Sequence, residues 1–185
     1  MTVVTTGGGL DFDQVEPLVA AALIDLENPL PANPAGIAQL AAAVDAVAKP
    51  PAPKAVAELP PLARQISGQV YAFEPNPAEV DALGLVFDDS AEATLLVTPA
   101  GSDQLLSWPI GLDGVCRFSP GDFGLPQGMR GKWTDHETFV LEYDGVASNS
   151  HAIYTIRFGD DRTMVQGSEF AHELSSRFEG VLQKP

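Results

Sequence analysis

A single cysteine, Cys116, stands in a chain of 185 residues, so no internal disulfide can form and no cysteine-based zinc site can be assembled. Its expected state is a small buried side chain. Positive charge is scarce too: 10 lysines and arginines face 25 acids, and the formal net charge is -15 with an isoelectric point near 4.3. A surface of that sign repels phosphate backbones and anionic headgroups, which argues against nucleic acid as a partner. The deficit is even along the chain. Up to Gln65 there are 7 acids and 3 bases, and beyond it 18 acids and 7 bases, so no basic patch survives in either part. No apolar run reaches the ~18 residues of a membrane-spanning helix. Met1 leads into Thr-Val-Val-Thr-Thr rather than a basic segment followed by an apolar one. A soluble chain without a membrane span or an encoded export signal is expected.

The motifs of catalysis are missing as well. No serine has a lysine three positions on, and there is no Gly-x-Ser-x-Gly elbow, Walker phosphate loop or His-Glu-x-x-His helix. Gly7-Gly8-Gly9 lacks the lysine and the wider spacing of a phosphate cradle. His136, His151 and His172 fall separately at predicted turns or strand ends among polar residues, so no metal is expected. The carboxylate pairs Asp88/Asp89 and Asp160/Asp161 sit in predicted hairpin turns, and Glu142 and Asp144 on an alternating run. Exposed acids of this kind do not divide acid and base roles, because only burial separates their pKa values. No catalytic residue and no cofactor is predicted.

What is present is periodicity. Thr2–Thr6 is a short β-prone run stopped by the three glycines. Asp11 or Asp13 can cap a helix in which Val15, Leu18, Val19, Ala22, Leu23 and Leu26 form one apolar stripe. Asn33 as N-cap and Pro34 in the first turn predict a second helix, with Ile37, Leu40, Ala41, Val44, Val47 and Ala48 on one face until Pro50-Pro51 ends it. Five prolines between Lys49 and Arg64 predict an extended, semi-rigid spacer. The expected domains are therefore 1–48, a strand and two helices; 49–65, a linker; and 66–185, a β domain.

From Gln69 onward short runs of period two alternate with turn residues. They are Gln69–Phe73, Leu83–Phe87, Ala93–Val97, Leu106–Ile110, Val115–Phe118, Met129–Trp133, Thr138–Tyr143, Tyr154–Phe158, Thr163–Gln166 and Arg177–Leu182. The fold class they predict is mainly β with an N-terminal helical part. An antiparallel meander of about 8–10 strands leaves unpaired edges unless it curls, so a lipocalin-like barrel is expected. Within it, Trp108, Arg117, Arg130, Trp133 and Tyr143 fall on neighbouring strands. Pointed inward, these rings and guanidinium forks would hold an anionic amphiphile. Pointed elsewhere, the same residues are core aromatics and surface arginines.

Several stretches resemble the C-terminal region of bacterial beta-lactamase-related, penicillin-binding-protein-like serine hydrolases and its accessory β domain. They are ISGQVYAFEPNP from Ile66, LGLVFDDSAEATL from Leu83, PIGLDGVCRFSP from Pro109, FGLP from Phe123, RGKWTDHETFVLEYD from Arg130 and RFEG from Arg177. VVTTGGG from Val3 is similar to the last strand of that hydrolase domain, and PLPANPAGIAQLAAAV from Pro29 to the connection that follows. The resemblance implies a non-catalytic accessory module that shapes substrate access or mediates an interaction, part of a parent that hydrolyses through an acyl-serine and whose class is often found in the bacterial cell envelope; the chain itself gives no localisation. Its partners would be the parent's catalytic domain or a second copy of the chain. The competing expectation is a lipocalin-like module for a small amphiphile.

Overall fold

The computed structural model describes residues 13, 16, 17, 19, 20, 32–49, 51–145, 147, 150–169 and 174–183. The chain divides into two compact units, 1–51 and 52–185. In the first, the predicted strand Thr2–Thr6 lies outside the described residues, and the part of the first predicted helix that is described, residues 13, 16, 17, 19 and 20, is helical. The second predicted helix forms as α1 (Pro34–Ala48). The Asn33 side chain accepts a 2.8 Å hydrogen bond from the Gly36 amide, and Pro34 takes a first-turn position where its missing N–H costs nothing. Ile37, Leu40 and Val44, spaced at three and four, are exposed on its apolar face.

The second unit begins in chain without regular structure, from 52 to 60, and then departs from the predicted spacer. Pro61–Ile66 is a helix, α2, started by Pro61 and buried through Ala63 and Ile66 together with the preceding Leu59. Ten strands follow: β1 (Val70–Phe73), β2 (Val80–Phe87), β3 (Glu92–Pro99), β4 (Leu106–Gly111), β5 (Arg117–Pro120), β6 (Pro126–Trp133), β7 (Thr138–Gly145), β8 (Ser150–Phe158), β9 (Arg162–Glu169) and β10 (Leu174–Leu182). Each neighbour pair in the order β4-β3-β2-β1-β10-β9-β8-β7-β6-β5 is antiparallel. A parallel bridge between Gly111 and Arg130 joins β4 to β6 and closes nine strands into a barrel, with β5 as a tenth strand along β6. Mainly β, antiparallel and closed, the architecture is the one that the period-two runs predict.

Period two becomes inside and outside. Leu83, Leu85 and Phe87 on β2 are buried, as are Ala93, Leu95 and Val97 on β3 and Phe139 and Leu141 on β7. Each large side chain removed from water contributes about 1.5–3 kcal/mol, which is why register is so strongly held wherever one face is the interior. Turn chemistry agrees. At the β2–β3 turn, the Asp88 carboxylate accepts from the Ser90 amide at 3.1 Å, and Asp89 adopts φ 61°.

The interior has two halves. At one end α2 closes the barrel over a cluster of rings: Trp133 lies 5.7 Å from Phe87, 5.5 Å from Phe139 and 6.0 Å from Phe158, and Tyr71 lies 5.7 Å from Phe158. At the other end the interior stays partly empty.

The predicted strand Val115–Phe118 is displaced to Arg117–Pro120, and an ion-pair knot accounts for the shift. Arg117 donates to Asp113 through both terminal nitrogens (3.1 and 2.9 Å), to Glu92 at 2.6 Å and to the Val115 carbonyl at 3.0 Å. These bonds hold residues 112–116 as a compact turn at the seam between β4 and β6. Gly111 is needed there, since a Cβ would collide with the Val115 carbonyl oxygen. Arg130 adds a second fastening, bidentate to Glu142 at 2.9 and 2.7 Å and donating to the Gly114 carbonyl at 3.3 Å.

Candidate functional site

The unfilled half of the barrel holds a cavity of about 340 Å³. Its walls come from eight strands, through side chains that include Leu83, Leu95, Trp108, Met129, Leu141 and Phe178, and its rim from Ala78, Glu79 and Pro99. The volume lies at the lower end of the ~300–1,000 Å³ typical of small-molecule sites, and the lining matches theirs, mostly apolar with a few polar groups.

Those polar groups are specific. Gln127 is buried on β6 and donates from Nε2 to the Ser119 hydroxyl at 3.1 Å, while the Tyr143 hydroxyl approaches the Gln127 Oε1 at 3.5 Å. Burial pushes the Tyr154 phenol above its ordinary pKa, with the Glu169 carboxylate adding to the effect, so it stays neutral. Glu79 reaches the rim from a loop organised by Asn76. That side chain donates to the Glu74 and Val80 carbonyls at 2.9 and 2.7 Å and accepts from the Ala78 amide at 3.1 Å. Glu79 itself sits at φ 52°, a conformation rarely taken by a long side chain, and its backbone carbonyl accepts from the Ala100 amide at 2.8 Å.

Of the five residues singled out by sequence, Trp108 and Tyr143 line the cavity together. The other three are elsewhere. Trp133 belongs to the ring cluster under α2, where its Nε1 is buried and has no partner among the described residues. Arg117 and Arg130 fasten the seam. Their carboxylate partners hold both guanidinium groups more basic than usual, and Asp113 is held below the usual carboxylate range, chiefly by its hydrogen bonds from Arg117. Glu79, Gln127, Tyr154 and Phe178 are among the cavity residues that sequence reasoning did not single out. Pairing across the sheet could have found two of them, since Gln127 and Met129 share a face with Trp133, and Phe178 lies opposite Val165.

Metal and nucleophile sites find no support in this geometry. No group of three His, Cys, Asp or Glu side chains able to hold a metal occurs among the described residues; His172 lies outside them. Burial is the main influence on the Cys116 thiol and pushes it up, away from the reactive thiolate. No helix among the described residues is long and apolar enough to cross a membrane.

No known protein family and no curated protein matches the sequence. Solved structures do match. The secretory abundant heat soluble protein 4 from Ramazzottius varieornatus is 7% identical with a TM-score of 0.50, over 64% of this chain and 94% of that one. The fatty acid-binding protein from brain tissue of Drosophila melanogaster is 10% identical with a TM-score of 0.46, over 63% and 98%. The fatty-acid-binding protein of Manduca sexta is 11% identical with a TM-score of 0.47, over 63% and 98%. At such identities only the fold is in common.

These findings overturn the resemblance to beta-lactamase-related serine hydrolases. The solved structure that matches at a TM-score of 0.50 is not a beta-lactamase-related domain, and no family model matches the quoted stretches. The reason is physical. Strings such as FDDSAEATL and FVLEYD are what any antiparallel hairpin requires, alternating apolar residues around an Asp or Gly turn, and so they carry the fold without carrying descent.

Proposed function

We propose that this chain is a binding module that takes a small amphiphilic molecule into the open half of its barrel and performs no chemistry on it. The observation that carries the reading is the 340 Å³ apolar cavity in the half of the barrel opposite the Trp133 ring cluster. Protein interiors are packed to near-crystalline density, and an unfilled volume of this size forfeits dispersion contacts along its whole lining. A barrel with interlocking rings in one half and a lined apolar cavity in the other has the form of a small-molecule site. The few polar groups, Gln127, Tyr143, Tyr154 and Glu79, can orient a ligand.

Titration with a neutral, environment-sensitive probe such as N-phenylnaphthylamine tests this. Saturable binding at one site is expected, and it should be lost in Leu141→Trp and Val97→Trp, whose rings would occupy the cavity. Thermal unfolding separates blocked variants from unfolded ones. Failure of the natural sequence to bind, or equal binding by folded, blocked variants, would overturn the reading.

A further inference from the structure

We infer that the ligand is an organic cation, an ammonium headgroup on a small apolar body, rather than the anionic amphiphile expected from the arginines. The inference rests on the cavity being a binding site, and three observations carry it.

The first is where charge lies. The segments that connect strands at the cavity end, residues 74–82, 99–106, 119–128, 143–152 and 166–176, contain no lysine or arginine at all. The acids among them include Glu74, Glu79, Asp81, Asp103, Asp144 and Glu169. Arg64, Arg117, Arg130 and Arg157, toward the α2 end or at the seam, are each paired to carboxylates at 2.6–3.0 Å, while Arg177, exposed on β10 beside Phe178, is the one arginine of the described strands on the cavity side and does not line the cavity. A carboxylate ligand would cross an acidic rim and find no cation inside, leaving its charge desolvated and unpaired.

The second is Glu79, which lines the cavity at its rim and takes part in none of the ion pairs between described residues. The third is aromatic content. Trp108, Tyr143, Tyr154 and Phe178 all line the cavity, and the negative faces of such rings attract an ammonium group in a desolvated site. Rings, one carboxylate and a predominantly acidic rim are the combination that favours an ammonium group.

Calorimetric titration with three probes sharing one chain, decyltrimethylammonium, decanol and decanoate, separates the inference from the reading beneath it. The ammonium should bind about tenfold more tightly than decanoate at low ionic strength, with added salt narrowing the difference. Glu79→Gln should reduce the advantage of the ammonium over decanol, and Leu141→Trp should abolish binding of the ammonium. Decanoate binding as tightly as the ammonium, with decanol also bound, would overturn the inference and leave the binding reading intact. Absence of binding by all three would overturn both.

Discussion

Truncating Phe139 and truncating Leu141 tests the division of the barrel into a packed half and an open half, because the two residues are next-but-one neighbours on β7. Phe139 is wholly buried and packs on Trp133 at 5.5 Å and Phe87 at 5.8 Å, so Phe139→Ala removes a ring from a site with no room to collapse. Burial and cavity terms for Phe→Ala come to about 3–5 kcal/mol, and the two ring pairs push the cost to the upper part of that range. Leu141 is equally buried but faces the existing cavity, so Leu141→Ala enlarges a space already there and costs mainly its transfer term, about 2 kcal/mol. Urea unfolding followed by tryptophan fluorescence measures both, and the difference should be about 2 kcal/mol at unchanged denaturant dependence. Phe139→Leu, which keeps most of the volume and should cost about 1–2 kcal/mol, keeps the comparison measurable if the alanine variant is too unstable. Equal costs at the two positions, or a larger cost at Leu141, would refute the division.

The seam gives further expectations. Arg117→Ala strands the buried Asp113 carboxylate and should cost about 3–5 kcal/mol in urea unfolding, while Arg117→Lys, which cannot reproduce the forked contacts, should recover only part of it. Asp113 has a folded pKa below its unfolded one, so its contribution is fully present above the ordinary carboxylate range and is lost as pH falls through the folded value. Acid unfolding curves should therefore show the natural protein losing its margin over Asp113→Asn below about pH 4; a margin that grows on acidification would contradict the assignment. Gly131→Ala places a Cβ against the fully buried Phe139 ring, which cannot move aside, and should cost about 1–3 kcal/mol by the same unfolding assay.

Much of the fold was legible because antiparallel strands write their burial into period two. The runs at Leu83–Phe87 and Thr138–Tyr143 lie within β2 and β7, and the Asn33-Pro34 pair marks the start of α1. The site was less legible. Trp133 and Arg130 are three residues apart on one unbroken strand, and an odd spacing puts them on opposite faces, so a shared pocket was already excluded by β6 itself. The partners of Arg117 were not readable in the same way. Asp113 is close in sequence, but Glu92 meets it only because β3 and β4 pair beside the seam. Nor could period two tell which half of the barrel would be filled. Leu141 and Phe139 look alike in the pattern, and what separates them is α2, whose six residues are too short for a helical period and are disguised by prolines.

Methyl NMR on the natural chain, titrated with decanol and then with decyltrimethylammonium, addresses the central claim most directly. The barrel also exposes apolar side chains that do not line the cavity, among them Phe118, Phe123 and Leu125. Binding inside the barrel predicts saturable shifts of the Leu83, Leu95, Leu141, Ile156 and Val165 methyls with the Leu125 methyls unmoved. Shifts confined to Leu125, or no saturable shift at any cavity methyl, would contradict it.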